Sequence, residues 1–425
     1  MIAGLRWIAG SAAAVAAIVL LSGTAARAPQ DRRATGSIAA GTMPYLPGSV
    51  LPVRVDGFAP PYRVAVVGPG AMLENGLYAI PVTATPGSAL LVAGNAQGLA
   101  SRSVTIGEPP APGSALIAVA CYDDGIVLHR AAGFAVAGAL AIGGPPVDVA
   151  ANPAGGFAAS DTQGTTLTAL QLAPWNVIRV QNVPFGDAIA VDGATRAVFV
   201  TNRDLDGSGA LTRVLPDGTV SQLATGKTAE GVAIDERRQI VYVANVNDDT
   251  VAAVDARSMQ LLRRFHAVSR VFSLALSPSG TRLYAVSNQT LSPPLGAPGS
   301  VVAIALGSAA KPRVVARSAN LTFPVSEALD ARRHTLFVTD EAADRVYVLD
   351  AATLRPKRPP LSTCRTPWKP AFDPVDDRLY VPCARSDEVD VFDATTDRRV
   401  RGAPFATGSY PLAVAVWHPA PGANR

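Results

Sequence analysis

Six side chains that could bind a polar ligand stand at, or within two residues of, the start of short apolar segments with similar sequences. Two of these segments, DAIAVD (187–192) and EGVAID (230–235), open on an acidic residue. We expect the lead-ins to such segments to converge on one face of the molecule, where they would form a funnel for a small polar ligand or a partner loop. The alternative is a rim of solvated loop ends. The six residues are Asp187, Glu230, Arg270, Glu327, Trp368 and Lys369.

No catalytic motif accompanies these residues. The chain contains no nucleophile elbow, zinc-protease, P-loop or dinucleotide-binding pattern. Its histidines, His129, His266, His334 and His418, are dispersed, which argues against a histidine-rich metal or haem site. We therefore assign no catalytic residue from the sequence.

One loop has the spacing of calcium ligands. In DLDGSG (204–209), Asp204, Asp206 and Ser208 stand at alternate positions before a glycine, as in the opening of a calcium-binding loop. The twelfth position is Leu215, where an EF-hand needs a bidentate glutamate, so that motif is excluded. A structural Ca²⁺ site and a plain polar hairpin turn are the two interpretations, and no other cofactor is indicated.

The chain has three cysteines, which allow one internal disulfide at most. Cys364 lies in a connection that leads to the apolar segment KPAFD (369–373), and Cys383 ends the strand that follows on the same face. We expect these two to form a disulfide and Cys121 to be free.

The elements that must position these residues follow from an internal repeat. Seven similar segments carry an alanine at the same place, and the intervals between these alanines are 40, 43, 42, 53, 43 and 44 residues. This period matches the four-stranded blade of a β-propeller. The alanines are Ala150, Ala190, Ala233, Ala275, Ala328, Ala371 and Ala415.

Each repeat reads as four strands, of which the one with the alanine is innermost. The second strands end in polar residues or cysteine, which we expect to form a ring on the binding face, and the long repeat has its extra residues at 288–300 on that face. The Asp that closes three of the third strands (Asp255, Asp350, Asp393) is expected to form an Asx-type turn. The first unit lacks an inner strand, so the last strand, PLAVAVWHP (411–419), is predicted to complete it and close the ring.

With these motifs the chain resembles the YVTN family of seven-bladed β-propellers. The resemblance lies in VFVTN (198–202), VYVAN (241–245), LFVTD (336–340) and LYVPC (379–383), and it spans about residues 115–419. It implies an exported bacterial protein of a family with diverse roles, some of whose members are similar to subunits of periplasmic redox enzymes. It brings no shared catalytic set.

The remaining segments complete the predicted organisation, which is all-β. Residues 1–28 read as a signal peptide, 29–35 as a disordered lead, 36–106 as a small immunoglobulin-like β-sandwich, 107–114 as a proline-rich linker, 115–419 as the propeller and 420–425 as a tail. We therefore expect a periplasmic or secreted protein with no membrane span after cleavage.

Charge and composition narrow the class of partner. Without the predicted signal peptide the chain carries 35 basic against 33 acidic groups and no basic run, so a nucleic-acid partner is not expected. The leading interpretation is a non-catalytic binding or scaffold protein for a periplasmic or cell-surface protein or a small polar ligand. The alternatives are a lactonase, for which Arg270, Glu327 and His266 are the available trio, an accessory subunit of a periplasmic oxidoreductase, and an adhesion module.

Overall fold

The computed structural model describes residues 37–58, 60–73, 76–95, 98–111, 113–203, 207–288, 297–307 and 311–420. The chain divides into two compact units, Met1–Pro109 and Pro110–Arg425. The predicted signal peptide and lead lie outside the described residues. No helix in the described ranges is long and apolar enough to cross a membrane.

The first unit is built from short antiparallel strands. They form a two-stranded sheet of β1 and β3, a three-stranded sheet in the order β2, β6, β5, and a three-stranded sheet in the order β4, β7, β8. The strands are β1 (Ser37–Ala39), β2 (Val50–Pro52), β3 (Arg54–Asp56), β4 (Arg63–Val67), β5 (Ala71–Met72), β6 (Leu77–Ala79), β7 (Gly87–Asn95) and β8 (Gly98–Ile106).

The second unit contains seven four-stranded antiparallel sheets within its described residues. Sheet I comprises β9 (Leu116–Cys121), β10 (Gly125–Arg130), β11 (Val136–Leu140) and the last strand, β36 (Pro411–Trp417). Sheet II comprises β12 (Pro146–Asn152), β13 (Gly156–Asp161), β14 (Thr166–Leu172) and β15 (Trp175–Gln181). Sheet III comprises β16 (Gly186–Val191), β17 (Val198–Arg203), β18 (Ser208–Val214) and β19 (Val220–Lys227).

The other four sheets follow the same order. Sheet IV comprises β20 (Ala229–Asp235), β21 (Ile240–Asn245), β22 (Thr250–Asp255) and β23 (Leu261–His266), with a short 3₁₀ turn at Val246–Asp248. Sheet V comprises β24 (Val271–Leu276), β25 (Arg282–Ser287), β26 (Ser300–Ala305) and β27 (Arg313–Arg317). Sheet VI comprises β28 (Pro324–Asp330), β29 (Thr335–Asp340), β30 (Arg345–Asp350) and β31 (Pro356–Ser362). Sheet VII comprises β32 (Ala371–Asp373), β33 (Arg378–Cys383), β34 (Glu388–Asp393) and β35 (Phe405–Ala406).

The first strands of sheets II to VII, together with β36, form a closed circuit. Each packs against the next in the order β12, β16, β20, β24, β28, β32 and β36, and β36 packs against β12. β36 also pairs with β9, with Ala415 opposite Ala118, and so becomes the inner strand of sheet I. The predicted closure by the C-terminal strand is confirmed.

The repeated alanines lie on these inner strands, as predicted, and the register gives a physical reason for them. In five sheets the alanine lies directly opposite an aromatic residue of the second strand, and the larger side chain fills the space that the small one leaves. The pairs are Ala190 and Phe199, Ala233 and Tyr242, Ala275 and Tyr284, Ala328 and Phe337, and Ala371 and Tyr380. In sheets I and II both partners are alanines.

The polar ends of the second strands hydrogen-bond to the segments that precede their own sheets, and this differs from the binding ring expected from the sequence. The Asn245 amide donates to the carbonyl of Thr225 at 3.1 Å, and Asp340 accepts the backbone N–H groups of Thr322 and Phe323 at 2.8 and 3.0 Å. Cys383, at the equivalent position, forms a disulfide with Cys364 (Cα–Cα 5.7 Å). The disulfide pair and the free Cys121 are those proposed from the sequence.

The acidic residues at the ends of the third strands form the turns that the sequence predicts. Asp255 accepts the backbone N–H groups of Arg257 and Ser258 at 3.1 and 2.7 Å. Asp350 and Asp393 accept the N–H groups two and three residues ahead in the same way. These carboxylates therefore have structural roles.

The Ala233 position gives a test of the repeat. Ala233 is 8% exposed and lies opposite Tyr242 between sheets IV and V. We expect Ala233→Leu to lower the free energy of unfolding by about 1–3 kcal/mol, because the added methyl groups overpack this space. Denaturant titration measures the change. Ala342→Leu, in an exposed turn, is the control, and equal stabilities for the two variants would contradict this account.

Candidate functional site

Three acidic residues of the candidate site lie at breaks in the strand pairing of three consecutive inner strands. The register shifts between Pro146 and Val149 in β12, between Gly186 and Ile189 in β16, and between Ala229 and Val232 in β20. Asp148, Asp187 and Glu230 lie inside these bulges. The sequence predicted Asp187 and Glu230 in the lead-ins to these strands, but all three residues belong to the strands themselves. A bulge re-aims side chains that regular pairing would fix, so these carboxylates can meet near the axis of the circuit.

The threonines of the repeated motifs support this distorted backbone. Thr201 of VFVTN accepts the N–H of Ala188 at 2.9 Å, inside the bulge of β16. Thr339 of LFVTD donates to the carbonyl of Ser326 at 3.1 Å in β28. A bulge leaves ladder groups unpaired, and these hydroxyls satisfy them.

Arg203 joins two of the acidic residues. Its guanidinium lies 3.1 and 3.2 Å from the two Asp187 oxygens and 3.0 Å from Oε1 of Glu230. Both carboxyl groups are about nine-tenths buried, whereas half of the Arg203 side chain is exposed. Arg203 is not among the site residues predicted from the sequence. The sequence does distinguish it. In each of the seven repeats one residue directly follows the end of the second-strand motif, and Arg203 is the only basic residue among these seven.

Lys369 extends past the inner strand β36 and contacts Asp148 of β12. Its ammonium group forms an ion pair with Asp148, and the same carboxylate accepts the N–H groups of Val149 and Ile189, each at 2.8 Å. Lys369 precedes β32, and β36 lies between β32 and β12. The Lys369 N–H donates to the carbonyl of Leu412 in β36 at 3.0 Å, so the lysine is held at the inner edge of the ring.

Glu327 is a buried acid with little hydrogen bonding among the described residues. It lies in β28 and is 7% exposed, and neither carboxyl oxygen has a hydrogen-bond partner of good geometry among the described residues. The nearby Ser273 hydroxyl is 3.1 Å from that of Ser326. Burial raises the pKa of Glu327 to about 8, and Ser273 and Lys369 oppose the shift. Glu327 therefore carries a proton at neutral pH and has unused hydrogen-bonding capacity.

Burial also raises the pKa values of the Arg203-linked pair. For Asp187 burial is the main cause, the Arg203 charge opposes it and the Asp148 charge adds to it. For Glu230 burial is again the main cause, the charge of Asp187 adds to it, and Arg203 and Arg270 oppose it. We call Asp148, Asp187, Arg203, Glu230, Glu327 and Lys369 the axial cluster. It offers carboxylate acceptors, protonated acids and two cations within one group.

The remaining predicted site residues are placed as follows. Arg270 acts electrostatically on Glu230, and its backbone N–H donates to Asp249 at 2.7 Å. Trp368 is half-buried, and its indole N–H is buried without a partner among the described residues. Asp204 and Asp206 lie outside the described residues, and Ser208 begins β18. His266 lies in β23, the outermost strand of sheet IV, so it does not join Arg270 and Glu327 at the axis.

One group of side chains in the described ranges has metal-ligand spacing, and it lies at the other end of the inner strands. Potential ligand atoms of Asp373, Asp376 and His418 lie within 4.8 Å of one another. His418 and Asp373 already form a pair at 2.8 Å. The axial cluster is therefore the better candidate for ligand binding through hydrogen bonds.

The raised pKa of Glu327 predicts a pH-dependent stability. Between the pKa of an unfolded glutamate, about 4.3, and the folded value of about 8, the folded chain binds the extra proton, so its stability falls as pH rises. Glu327→Gln removes this effect. We expect the variant to match the wild type near pH 5 and to exceed its melting temperature by roughly 3 °C or more near pH 8.5.

Thermal unfolding across this pH range measures the difference. Glu236→Gln, in an exposed turn, is the control and should show a constant difference from the wild type. A difference for Glu327→Gln that is also constant with pH would mean that Glu327 is ionised throughout.

Comparison with known proteins identifies the fold. The chain is similar in structure to a putative 6-phosphogluconolactonase from Bacteroides fragilis, with 12% identity and a TM-score of 0.59, covering 72% of this chain and 99% of that chain. The periplasmic gluconolactonase of Pseudomonas aeruginosa gives 16% identity and a TM-score of 0.59 over 72% and 99%. A β-propeller domain from Myceliophteria thermophila gives 9% identity and a TM-score of 0.55 over 68% and 99%.

No family model matches the chain, and a comparison with curated proteins finds no match. At these identities the structural likeness shows the fold and not the activity. The chain is an all-β protein with a β-propeller fold.

Proposed function

We propose that this chain is an exported, seven-bladed propeller of the YVTN type that binds a small polar ligand at the axial cluster. Seven four-stranded sheets in a closed circuit support the blade count. The small antiparallel sheets of the first unit are compatible with an immunoglobulin-like sandwich, and residues 1–28 have the pattern of a signal peptide.

The observation that carries the binding proposal is Glu327. A buried carboxyl group without a hydrogen-bond partner costs free energy that a folded protein rarely leaves uncompensated. A ligand that accepts and donates hydrogen bonds at Glu327 would remove this cost, and Lys369 and Arg203 would supply further donors. The unsatisfied group is therefore best explained as part of a binding site.

The composition of the cluster favours a hydroxyl-rich ligand of the carbohydrate class. A hydroxyl group both donates and accepts a hydrogen bond. It therefore matches a site that contains carboxyl groups as acceptors and protonated acids and cations as donors. The four acidic groups, Asp148, Asp187, Glu230 and Glu327, belong to inner strands and are buried, which suits a small molecule better than the broad surface of a protein partner. A protein or cell-surface partner is the alternative outcome.

Calorimetric titration of the full chain with glucose, myo-inositol and gluconate tests this proposal. We expect at least one of these probes to bind, and Glu327→Leu, which keeps the side-chain volume but removes both oxygens, to weaken it by about tenfold or more. Glu327→Gln should restore part of the affinity, because it again supplies a donor and an acceptor.

Glu236→Leu, at an exposed turn position, is the matched control and should bind as the wild type does. Equal loss in both variants, or no binding of any probe by the wild type, would overturn the proposal. Capture of a protein partner that depends on Glu327 but not on Glu236 would favour the scaffold interpretation.

Lactone hydrolysis is the second candidate function, and the electrostatic effect of the Lys369 charge on the buried Glu327 carboxyl group favours it. Above its pKa of about 8, the ionised Glu327 carboxylate can accept a proton from water, and the nearby Lys369 ammonium group can stabilise the oxyanion that develops on the lactone carbonyl. Two of the structurally similar proteins are named as lactonases. The lactonase candidate does not depend on the trio of Arg270, Glu327 and His266, because His266 lies in the outermost strand of sheet IV.

A pH-stat assay with glucono-δ-lactone separates the two functions. If Glu327 is a general base, Glu327→Gln should lower kcat by about 100-fold or more while gluconate still binds. Glu236→Gln should leave the rate unchanged. A wild-type rate equal to the uncatalysed rate would exclude this activity and leave the binding proposal intact.

A further inference from the structure

A pocket lies where sheets I and VII meet, at the end of the inner strands that is remote from the axial cluster. It has a volume of about 430 Å³. Its wall is formed by the β10–β11 loop, the β32–β33 turn, the residues that precede β35 and the residue that follows β36. We call it the seam pocket. The polar side chains that line it are Ser114, Arg130, Asp376, Arg378, Arg401 and His418.

The turn in this pocket differs from the corresponding turns of sheets IV and VI. In sheets IV and VI the inner strand ends in an aspartate that pairs with an arginine three residues later, Arg238 with Asp235 at 2.7 Å and Arg333 with Asp330 at 2.9 Å. In sheet VII the third residue after Asp373 is Asp376, and Asp373 pairs with His418 of the adjoining sheet. The turn of sheet VII therefore lacks the arginine that pairs with the aspartate of the same turn in sheets IV and VI. The arginines of the pocket come from other positions in the chain.

Arg378 is held in place by an aromatic stack. Its guanidinium lies 5.8 Å from the ring centroid of Phe134, and that ring stacks on Phe405 with centroids 4.7 Å apart. Phe134 is 6% exposed and has a φ of 61°, a conformation that a bulky residue rarely adopts. Asp376 lies 3.8 Å from Arg378, too far for a tight ion pair. The loop therefore presents an ordered guanidinium to the pocket.

Arg130 and Arg401 add two further positive charges. Both are exposed, and within the described residues neither guanidinium has a hydrogen-bond or ion-pair partner. Asp376 is the one carboxylate among the lining residues. With three arginines and one carboxylate in its wall, the pocket has an excess of positive charge, which attracts an anion.

We propose that the seam pocket binds a small organic anion with two or more oxyanion groups, either carboxylates or phosphates. The guanidinium fork binds both groups in a bidentate manner, and three arginines at separate points of the wall suit an anion with more than one such group. The volume lies in the range of sites for small molecules. This site is independent of the axial cluster.

Titration of the full chain with citrate and with inorganic phosphate, at low and high salt, tests the proposal. The double variant Arg130→Ala/Arg401→Ala should raise the Kd of citrate by about tenfold or more, because it removes two cations from the wall. Both positions are exposed, so the melting temperature should stay within a degree or two of the wild type. The control Arg313→Ala/Arg355→Ala removes two exposed arginines elsewhere and should leave the Kd unchanged.

The relative affinities distinguish the two sources of oxyanion. Binding of citrate but not phosphate identifies a polycarboxylate site, and the reverse identifies a phosphate site. Equal weakening by the pocket variant and the control would mean that only net charge matters, and it would overturn the proposal. Failure of both anions to bind the wild type below about 10 mM would also overturn it.

Discussion

The pairing of β36 with β9 is the contact on which the rest of the propeller depends. It joins residues 411–417 to residues 116–121 and turns a row of sheets into a closed circuit. Without it, sheet I would lose its inner strand and expose an unpaired edge. Closure also creates both candidate sites. Lys369 is fixed against β36 and reaches Asp148 on its far side, and the seam pocket lies between sheets I and VII.

The axial cluster differs from the surrounding apolar core because it contains buried ionisable side chains. Asp148 is satisfied by two N–H groups and Lys369, whereas Arg203 offsets only part of the cost of burying Asp187 and Glu230, because burial still raises the pKa values of both. Glu327 has no comparable partner. The bulges make this arrangement possible, because they free inner-strand side chains from the regular alternation that would bury them between sheets. The cluster is thus a local exception in an otherwise apolar repeat.

Departures from the repeat mark both sites. Most polar repeat positions have a structural task, as the bonds of Asn245, Asp340 and Asp255 show. Where the residue type changes, the task changes with it. Arg203 is the one basic residue that directly follows a second-strand motif, and it bridges Asp187 and Glu230. In sheet VII, Asp376 stands where sheets IV and VI have an arginine in the turn, and Asp373 pairs with His418 instead. A repeat protein can acquire a site in this way without altering its framework.

The sequence by itself determined the architecture of the second unit. Its period, its alanines and the motif at the second-strand ends are local patterns that each sheet must satisfy on its own, so the strand order, the closure by residues 411–417 and the turns at Asp255, Asp350 and Asp393 could be predicted. It also placed Glu230, Glu327 and Lys369 at one end of the inner strands.

The tertiary structure decided what those residues do. Whether Lys369 pairs with Asp148, whether Arg203 joins the cluster, and whether His266 lies at the axis depend on the spatial order of sheets and on bulges within strands, which spacing along the chain does not encode. The same holds for the seam pocket, whose arginines come from three separate segments. Charge pairing is a property of distances across the ring, and only the folded chain sets those distances.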